Sequence, residues 1–294
     1  MRIAPKTTTG IVSVVASSVA SFMVNPKLGT AELLFSCAEK MGLTPIWLTA
    51  DSVFSIEVDG QERYINLARS PLNSDASAAL AKNKYVTRCI LEKNHIPNIP
   101  FILPKTHAQA TSFLKTYGTI VAKPVTGAGA MDIHIINEQA QLKTLRINHY
   151  ILEKYITGKE LRFLMLNGEV VGVHRSEYGT SVAKDRPLER ISYPQSNWDP
   201  TLVKMSQRIT DLLNLKFAAV DFLIDASGHA YTLEVNTMPG LKWFHAPSSG
   251  PIVDIARLFL ESVVDALRRE QQPNRSTLTN SSIRAYNELM GVMS

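Results

Sequence analysis

Asp221, Glu234 and Asn236 are the residues of this sequence best placed to do chemistry together. They lie in AAVDFLIDASGHAYTLEVNTMPGL, where the apolar runs AAVDFLI and AYTLEV flank the turn signal DASG and read as an antiparallel pair of strands. Each run carries one acid. A carboxylate inside an apolar strand is costly unless a cation or a donor compensates it, and two on neighbouring strands repel. A shared hard cation removes both penalties. Magnesium prefers oxygen ligands, keeps part of its water shell and is commonly held by one or two carboxylates plus substrate phosphates. Asn236 follows Glu234 by two residues, so its amide oxygen points to the same strand face and completes an all-oxygen set.

Three further segments carry candidate phosphate and nucleotide contacts. In TIVAKPVTGAGAMDIHII a β-branched run ends in Lys123 and leads into a loop with Gly127, Ala128 and Gly129 before a second apolar run. Small residues let loop amides approach phosphate oxygens, and a lysine at the strand end supplies a point charge. In NKYVTRCILEKNHIPNIPF, Lys84 opens a helix that ends before a Pro-rich stretch. In YILEKYITGKELRFLMLNGEVVGV, Glu153 and Glu160 stand in the pattern E-x-x-x-x-G-x-E. Taken singly, each of these charges reads equally well as a solvated surface group.

Together and in this order, the segments resemble an ATP-grasp ligase over roughly residues 30 to 268. The resemblance is greatest to the ATP-grasp part of cyanophycin synthetases and bifunctional glutathione synthetases, and more distant to ribosomal-protein glutamate ligases and D-alanine:D-alanine ligases. It implies two Mg2+ ions, with Mn2+ as a substitute, held against ATP by Asp221, Glu234 and Asn236. It also implies Lys84 and Lys123 on the phosphates, Glu153, Lys154, Tyr155 and Ile156 as the hinge that reads adenine through backbone groups, and Glu160 on the ribose hydroxyls.

The departures from that pattern change the expectation. D-alanine ligases place an arginine two residues before the strand aspartate, where this chain has Ala219. Acyl-phosphate stabilisation is therefore assigned to Arg175, because glutamate-ligase relatives carry an arginine at that strand end, with Lys123 beside it as a catalytic cation. The segment from Ser176 to Pro200 is shorter than in the cyanophycin and glutathione branch and lacks their G-D-G motif, so neither named substrate transfers. Met238, Pro239 and Gly240 lie where an acceptor should enter. Nearby Lys242 and His245 read more simply as a solvated lysine and a packed histidine.

The reaction implied is amide or peptide bond formation through an acyl-phosphate, on small carboxylate and amine substrates such as amino acids or peptides. Two other readings stand beside it: a ligase that adds amino acids to a protein or peptide, and a nucleotide-binding protein without turnover. The glycine-bearing loop from Thr126 to Met131 is the expected lid.

Composition agrees with a soluble enzyme, and a cytoplasmic one is expected. A chain of 294 residues with 45% hydrophobic and 19% charged residues can bury a sizeable core. Its net charge of +5 is modest and spread along the chain, which argues against nucleic acid and suits anionic ligands. Cys37 and Cys89 sit in separate helical patterns and read as reduced core thiols. Residues 1–27 have the outline of a signal peptide, but serines interrupt the apolar stretch, so the first strand and helix of the fold are expected there. No membrane association is expected, and fold analogy favours a homodimer.

The expected fold class is α/β, in the α+β sense. Residues 1–80 form a short N-terminal subdomain, 81–151 a small lid-like subdomain with the phosphate loop, 152–272 a larger antiparallel-sheet subdomain with the metal site, and 273–294 a linker and tail. Within these, TAELLFSCAEKMG reads as an amphipathic helix ended by Gly42, TPIWLT as a buried strand, and FSIEVDGQERYINL as a hairpin on Asp59-Gly60.

Overall fold

The computed structural model describes residues 29–49, 51–69, 72–127, 132–176 and 189–271. The expected N-terminal segment 1–27 and the tail 273–294 lie outside the described residues. Three antiparallel sheets and their helices make up an α+β architecture.

The first unit joins α1 (Thr30–Lys40) to the sheet β1 (Ile46–Trp47), β2 (Val53–Val58) and β3 (Gln61–Asn66). The apolar spacing of α1 buries Ala31, Leu33, Leu34 and Ala38. Asp59 and Gly60 both take positive φ, 51° and 77°, as the tight β2–β3 hairpin requires. TPIWLT departs from the expected buried strand. β1 is two residues long at the sheet edge and Ile46 is 63% exposed, because only Trp47 finds a partner, stacking on Phe35 at 4.4 Å.

α2 (Asp75–Lys82) and α3 (Lys84–Lys93) start at side-chain caps, Ser74 accepting from Ser77 N–H and Asn83 from Val86 N–H. They lead into a four-stranded sheet ordered β4-β7-β5-β6, formed by β4 (Phe101–Ile102), β5 (Ile120–Pro124), β6 (His134–Ile136) and β7 (Tyr150–Lys154). α4 (His107–Tyr117) and α5 (Gln139–Leu142) contribute Ala110, Leu114 and Leu142 to its core. β7 runs across the expected boundary at residue 151, because its pairing with β5 and β4 continues to Lys154 and Glu153.

The largest sheet is ordered β10-β9-β8-β11-β12 and comprises β8 (Lys159–Leu166), β9 (Glu169–Ser176), β10 (Arg190–Tyr193), β11 (Phe217–Ile224) and β12 (Ala230–Asn236). Phe163, Met165, Val220 and Phe222 pack from one face against Leu202, Ile209 and Leu213 of the α6 region (α6, Pro200–Leu212). From the other face Leu164, Leu166, Phe217 and Ala219 meet α7 (Lys242–His245), α8 (Ile255–Gln271) and the first unit. Asn73 fastens the first unit to β11: its amide donates to Phe217 O at 2.6 Å and its oxygen accepts from Lys216 and Phe217 N–H. Among the described residues no helix is long and apolar enough to cross a membrane.

Candidate active site

Directly opposed residues of neighbouring strands share a face. The register sets Ser192, His174, Arg162, Asp221 and Glu234 opposite one another in a single row across all five strands of the large sheet. Two residues along the pleat, Asn236 and Glu160 fall on the same face. Asp221 and Glu234, expected to lie on paired strands, are direct cross-strand partners.

The structure adds a residue that motif reading missed. Arg162 grips Asp221 with two contacts of 2.7 Å, Nε to Oδ1 and Nη2 to Oδ2. Its signal was present in GKELRFLM, where Glu160 and Arg162 alternate with Leu161 and Phe163 at the period of a strand with one polar face. Asp221 is 6% exposed. Burial, then the nearby Asp221, raises the Glu234 carboxyl above its ordinary range, while Lys84, Lys123 and Arg162 pull it down. Glu160 is raised by the same two causes in the same order.

The two lysines arrive from the neighbouring sheet and helix. Lys84, the first residue of α3, donates from Nζ to Gly127 O at 3.1 Å, which ties it to the start of the expected phosphate loop, and its N–H bonds Val125 O. Lys123, on β5, contacts Glu153 Oε2 at 2.7 Å. Glu153 is fully buried, and Arg88 Nε meets its other oxygen at 2.8 Å. Burial alone would raise this carboxyl, but Arg88 and Lys123 reverse the effect and hold it at about 2. The Glu153 side chain thus positions Lys123, while its backbone lies within the sheet between Phe101 of β4 and Val121 of β5.

Arg88 is the second residue missed. Beyond Glu153 it donates to Asn98 Oδ1, Thr232 O and Leu233 O. Those two carbonyls belong to a β-bulge, where the β11–β12 register shifts between Asp221 and Phe222. A bulge re-aims the residue that follows it. Here that residue is Glu234, so one buried guanidinium links the hinge strand to the strand that aims a metal-type ligand.

At the hinge, Lys154 N–H bonds Pro100 O and Tyr155 N–H bonds Thr119 O, so both donors serve the fold. The chain leaves the sheet between Tyr155 and Gly158 before β8 begins, with Ile156 in this open stretch. Gly158 is required there: a Cβ would lie 2.3 Å from Ile224 O.

Several expected residues are placed elsewhere. Arg175 follows His174 on β9 and pairs with Leu161 and Ile191, so strand alternation turns it to the face of Val173 and α6, away from the carboxylates. The structure therefore does not bring Arg175 together with the carboxylates, and Arg162 is the cation on their face. Met238 borders the same cavity as Glu234 and Asn236, whereas Pro239 is buried and Gly240 exposed, both outside that lining. Asn236 accepts from Met238 N–H at 2.9 Å, leaving its oxygen a second lone pair. Lys242 lies over the Trp243 ring at 5.1 Å, and His245 Nδ1 faces Asp254 at 3.7 Å. Ala128 and Gly129, and most of the expected lid, lie outside the described residues.

No group of three or more His, Cys, Asp and Glu able to hold a metal occurs among the described residues. Two carboxylates and one amide, all oxygen donors on one face, nevertheless suit a hard cation that takes its remaining ligands from water and phosphate. Burial, and after it the neighbouring Asp221, raise Glu234, and a cation bound there would relieve both penalties.

Residues 81–263 match the RimK-like ATP-grasp domain. Over 198 residues the chain is 27% identical to the D-alanine--D-alanine ligase of Rickettsia canadensis (strain McKiel), covering 60% of this chain and 55% of that one. Over 183 residues it is 27% identical to the coenzyme gamma-F420-2:alpha-L-glutamate ligase of Methanococcus maripaludis, covering 56% and 62% respectively. The chain thus spans little more than half the length of these relatives. A bifunctional glutathione synthetase from Pasteurella multocida superposes with a TM-score of 0.59 at 13% identity, covering 82% of this chain and 44% of the other. With the carboxylate row, the paired lysines and a family match over most of the described chain, the protein belongs to the RimK-like ATP-grasp family and has the ATP-grasp fold.

Proposed function

We propose that the chain is an ATP-dependent carbon–nitrogen ligase that joins a carboxylate to an amine through an acyl-phosphate, acting on small amino-acid-like or peptide substrates. The observation that carries this reading is the convergence of Lys84 from α3 and Lys123 from β5 on the face of the large sheet that bears Glu160, Arg162, Asp221, Glu234 and Asn236.

A carboxylate does not react with an amine at neutral pH because oxide would have to leave. Its oxygen first attacks the γ-phosphorus of ATP and ADP departs. The amine nitrogen then attacks the acyl carbon, phosphate leaves, and the amine gives up a proton. Charge gathers on the transferred group in the first step, so fixed cations aimed at it lower the barrier. Lys84 and Lys123 are the phosphate-facing cations of this reading, and Arg162 takes the part first assigned to Arg175. The hinge of Lys154, Tyr155 and Ile156 would read adenine through backbone groups other than the Lys154 and Tyr155 N–H donors, with Glu160 on the ribose hydroxyls and the Gly127–Ala128–Gly129 loop on the phosphates. Asp221, Glu234 and Asn236 would hold Mg2+, which when bound neutralises phosphate charge as a Lewis acid.

The test is ADP and phosphate release by the purified protein with Mg2+ and ATP, across single amino acids, amino-acid pairs and short peptides, with product masses read in parallel. Release that needs two substrates, with a product weighing their sum less water, is the expected result. Nucleotide binding without release on any panel, unchanged in Glu234→Gln, points instead to a protein without turnover.

A further inference from the structure

The strand that carries Lys123 is held unevenly. β5 lies between β7 and β6, and on the β7 side its ladder continues to the end, pairing Lys123 with Ile151 and Pro124 with Tyr150. On the β6 side the ladder stops at Ala122 and His134, one residue short of Lys123.

Three side chains close that open side. Asp132, just ahead of β6, accepts from the Tyr150 hydroxyl through Oδ2 at 2.5 Å and meets His134 Nε2 through Oδ1 at 2.7 Å. Tyr150 belongs to β7 and His134 to β6, so the carboxylate reaches from one neighbour of β5 to the other past the end of the strand. The two rings stand edge to face with centroids 5.7 Å apart. By register, Tyr150 and His134 share the face of Ala122 and Leu152, where the α4 and α5 core lies, whereas Lys123 is on the opposite face with Glu153. The clasp therefore supports β5 from behind Lys123.

An exposed charged pair usually contributes little. Asp132 differs in two respects. Its backbone has φ 59°, a left-handed conformation that a residue other than glycine keeps where its surroundings fix it. Both of its carboxylate oxygens are engaged, and Tyr150, then His134, hold that carboxyl below its ordinary range.

We infer that Asp132, Tyr150 and His134 are positioning residues for Lys123: their clasp stands in for the missing ladder on the β6 side and fixes the end of β5 from which Lys123 meets nucleotide phosphate. This role rests on the proposed part of Lys123 as a phosphate-facing cation, and it is tested by binding alone.

The full chain with Mg2+ is titrated with a non-hydrolysable ATP analogue and, separately, with adenosine, so that the ratio of the two affinities reads the phosphate end. Tyr150→Phe should lower this ratio about fivefold, and so should Asp132→Asn, which tolerates the same φ but presents one acceptor oxygen in place of two. Adenosine affinity should hold in both variants. In Lys123→Met, adding Tyr150→Phe should cause no further fall, because the cation that the clasp positions is gone. A clasp that braces the fold alone would lower the denaturation midpoint and leave the ratio unchanged. An unchanged ratio, an equal loss of both affinities, or an undiminished effect of Tyr150→Phe in Lys123→Met overturns the assignment. A parent that binds the analogue no better than adenosine overturns it as well, together with the phosphate role of Lys123. Failure of the ligase reading looks different: the ratio falls as expected while no substrate pair releases ADP.

Discussion

Arg162 and Asp221 face each other across β8 and β11 and share two contacts of 2.7 Å, so the carboxylate proposed to hold a cation is already held by a guanidinium. A metal at Asp221 must share or displace that partner. Arg162→Met should therefore tighten Mn2+ binding to the protein–analogue complex about tenfold, or about 1.4 kcal/mol, in an electron paramagnetic resonance titration. Turnover should fall about 100-fold, because the same cation is lost from the face where charge develops. Unaltered Mn2+ affinity with full turnover would show the pair to be a static brace.

Arg88 joins elements far apart in the sequence, and removing it strands a buried acid. Arg88→Met leaves Glu153 with Lys123 alone and frees the Thr232 and Leu233 carbonyls that fix the bulge before Glu234. Breaking a buried pair of this kind costs about 3–5 kcal/mol, to be read by chemical denaturation. A structural loss alone would leave the midpoint for Mg2+ unchanged in the protein that remains folded. Misaimed Glu234 should instead raise it.

The legible parts of the site were those encoded locally. A turn signal between two apolar runs sets Asp221 opposite Glu234, and the two-residue repeat carries Asn236 to the same face. Arg88 was not legible, because its partners lie 65 and 144 residues away, beyond any periodicity. For Arg175 the strand was legible but its phase was not, and one residue moves a side chain to the other face. The edge strand at Ile46 shows the same limit, since an apolar run cannot by itself report whether anything covers it.

His174 gives the fold an acid-sensitive point. Burial, then Arg162 on β8 and Arg190 on β10, lower its imidazole to about 3, and Phe244 of α7 packs on the ring at 4.5 Å. The unfolded chain binds this proton near pH 6.5 and the folded chain does not, so stability is complete above that value and declines as pH falls towards 3. About 2 kcal/mol should be lost between pH 7 and pH 5. His174→Leu should flatten that part of the profile, while the decline below about pH 4.5 from Glu153 remains. An identical slope in parent and variant would place the acid sensitivity elsewhere.

Gly158 ties hinge conformation to nucleotide affinity. It stands between the open hinge stretch and β8, pressed against the end of β11, where a Cβ would meet Ile224 O at 2.3 Å and Asp225 Cα at 3.2 Å. Both obstacles are backbone and cannot rotate away, so Gly158→Ala must push the hinge off the sheet. The displacement falls two residues after Ile156 and two before Glu160, on both sides of the proposed adenosine site. Affinity for the ATP analogue should drop about tenfold, equivalent to about 1.4 kcal/mol, by calorimetry. Binding of Mn2+ without nucleotide should be retained, because Asp221 and Glu234 keep their pairing when only the hinge moves. Equal loss of both affinities would mean that the substitution had disturbed the whole sheet, and unchanged nucleotide affinity would remove the hinge from the site.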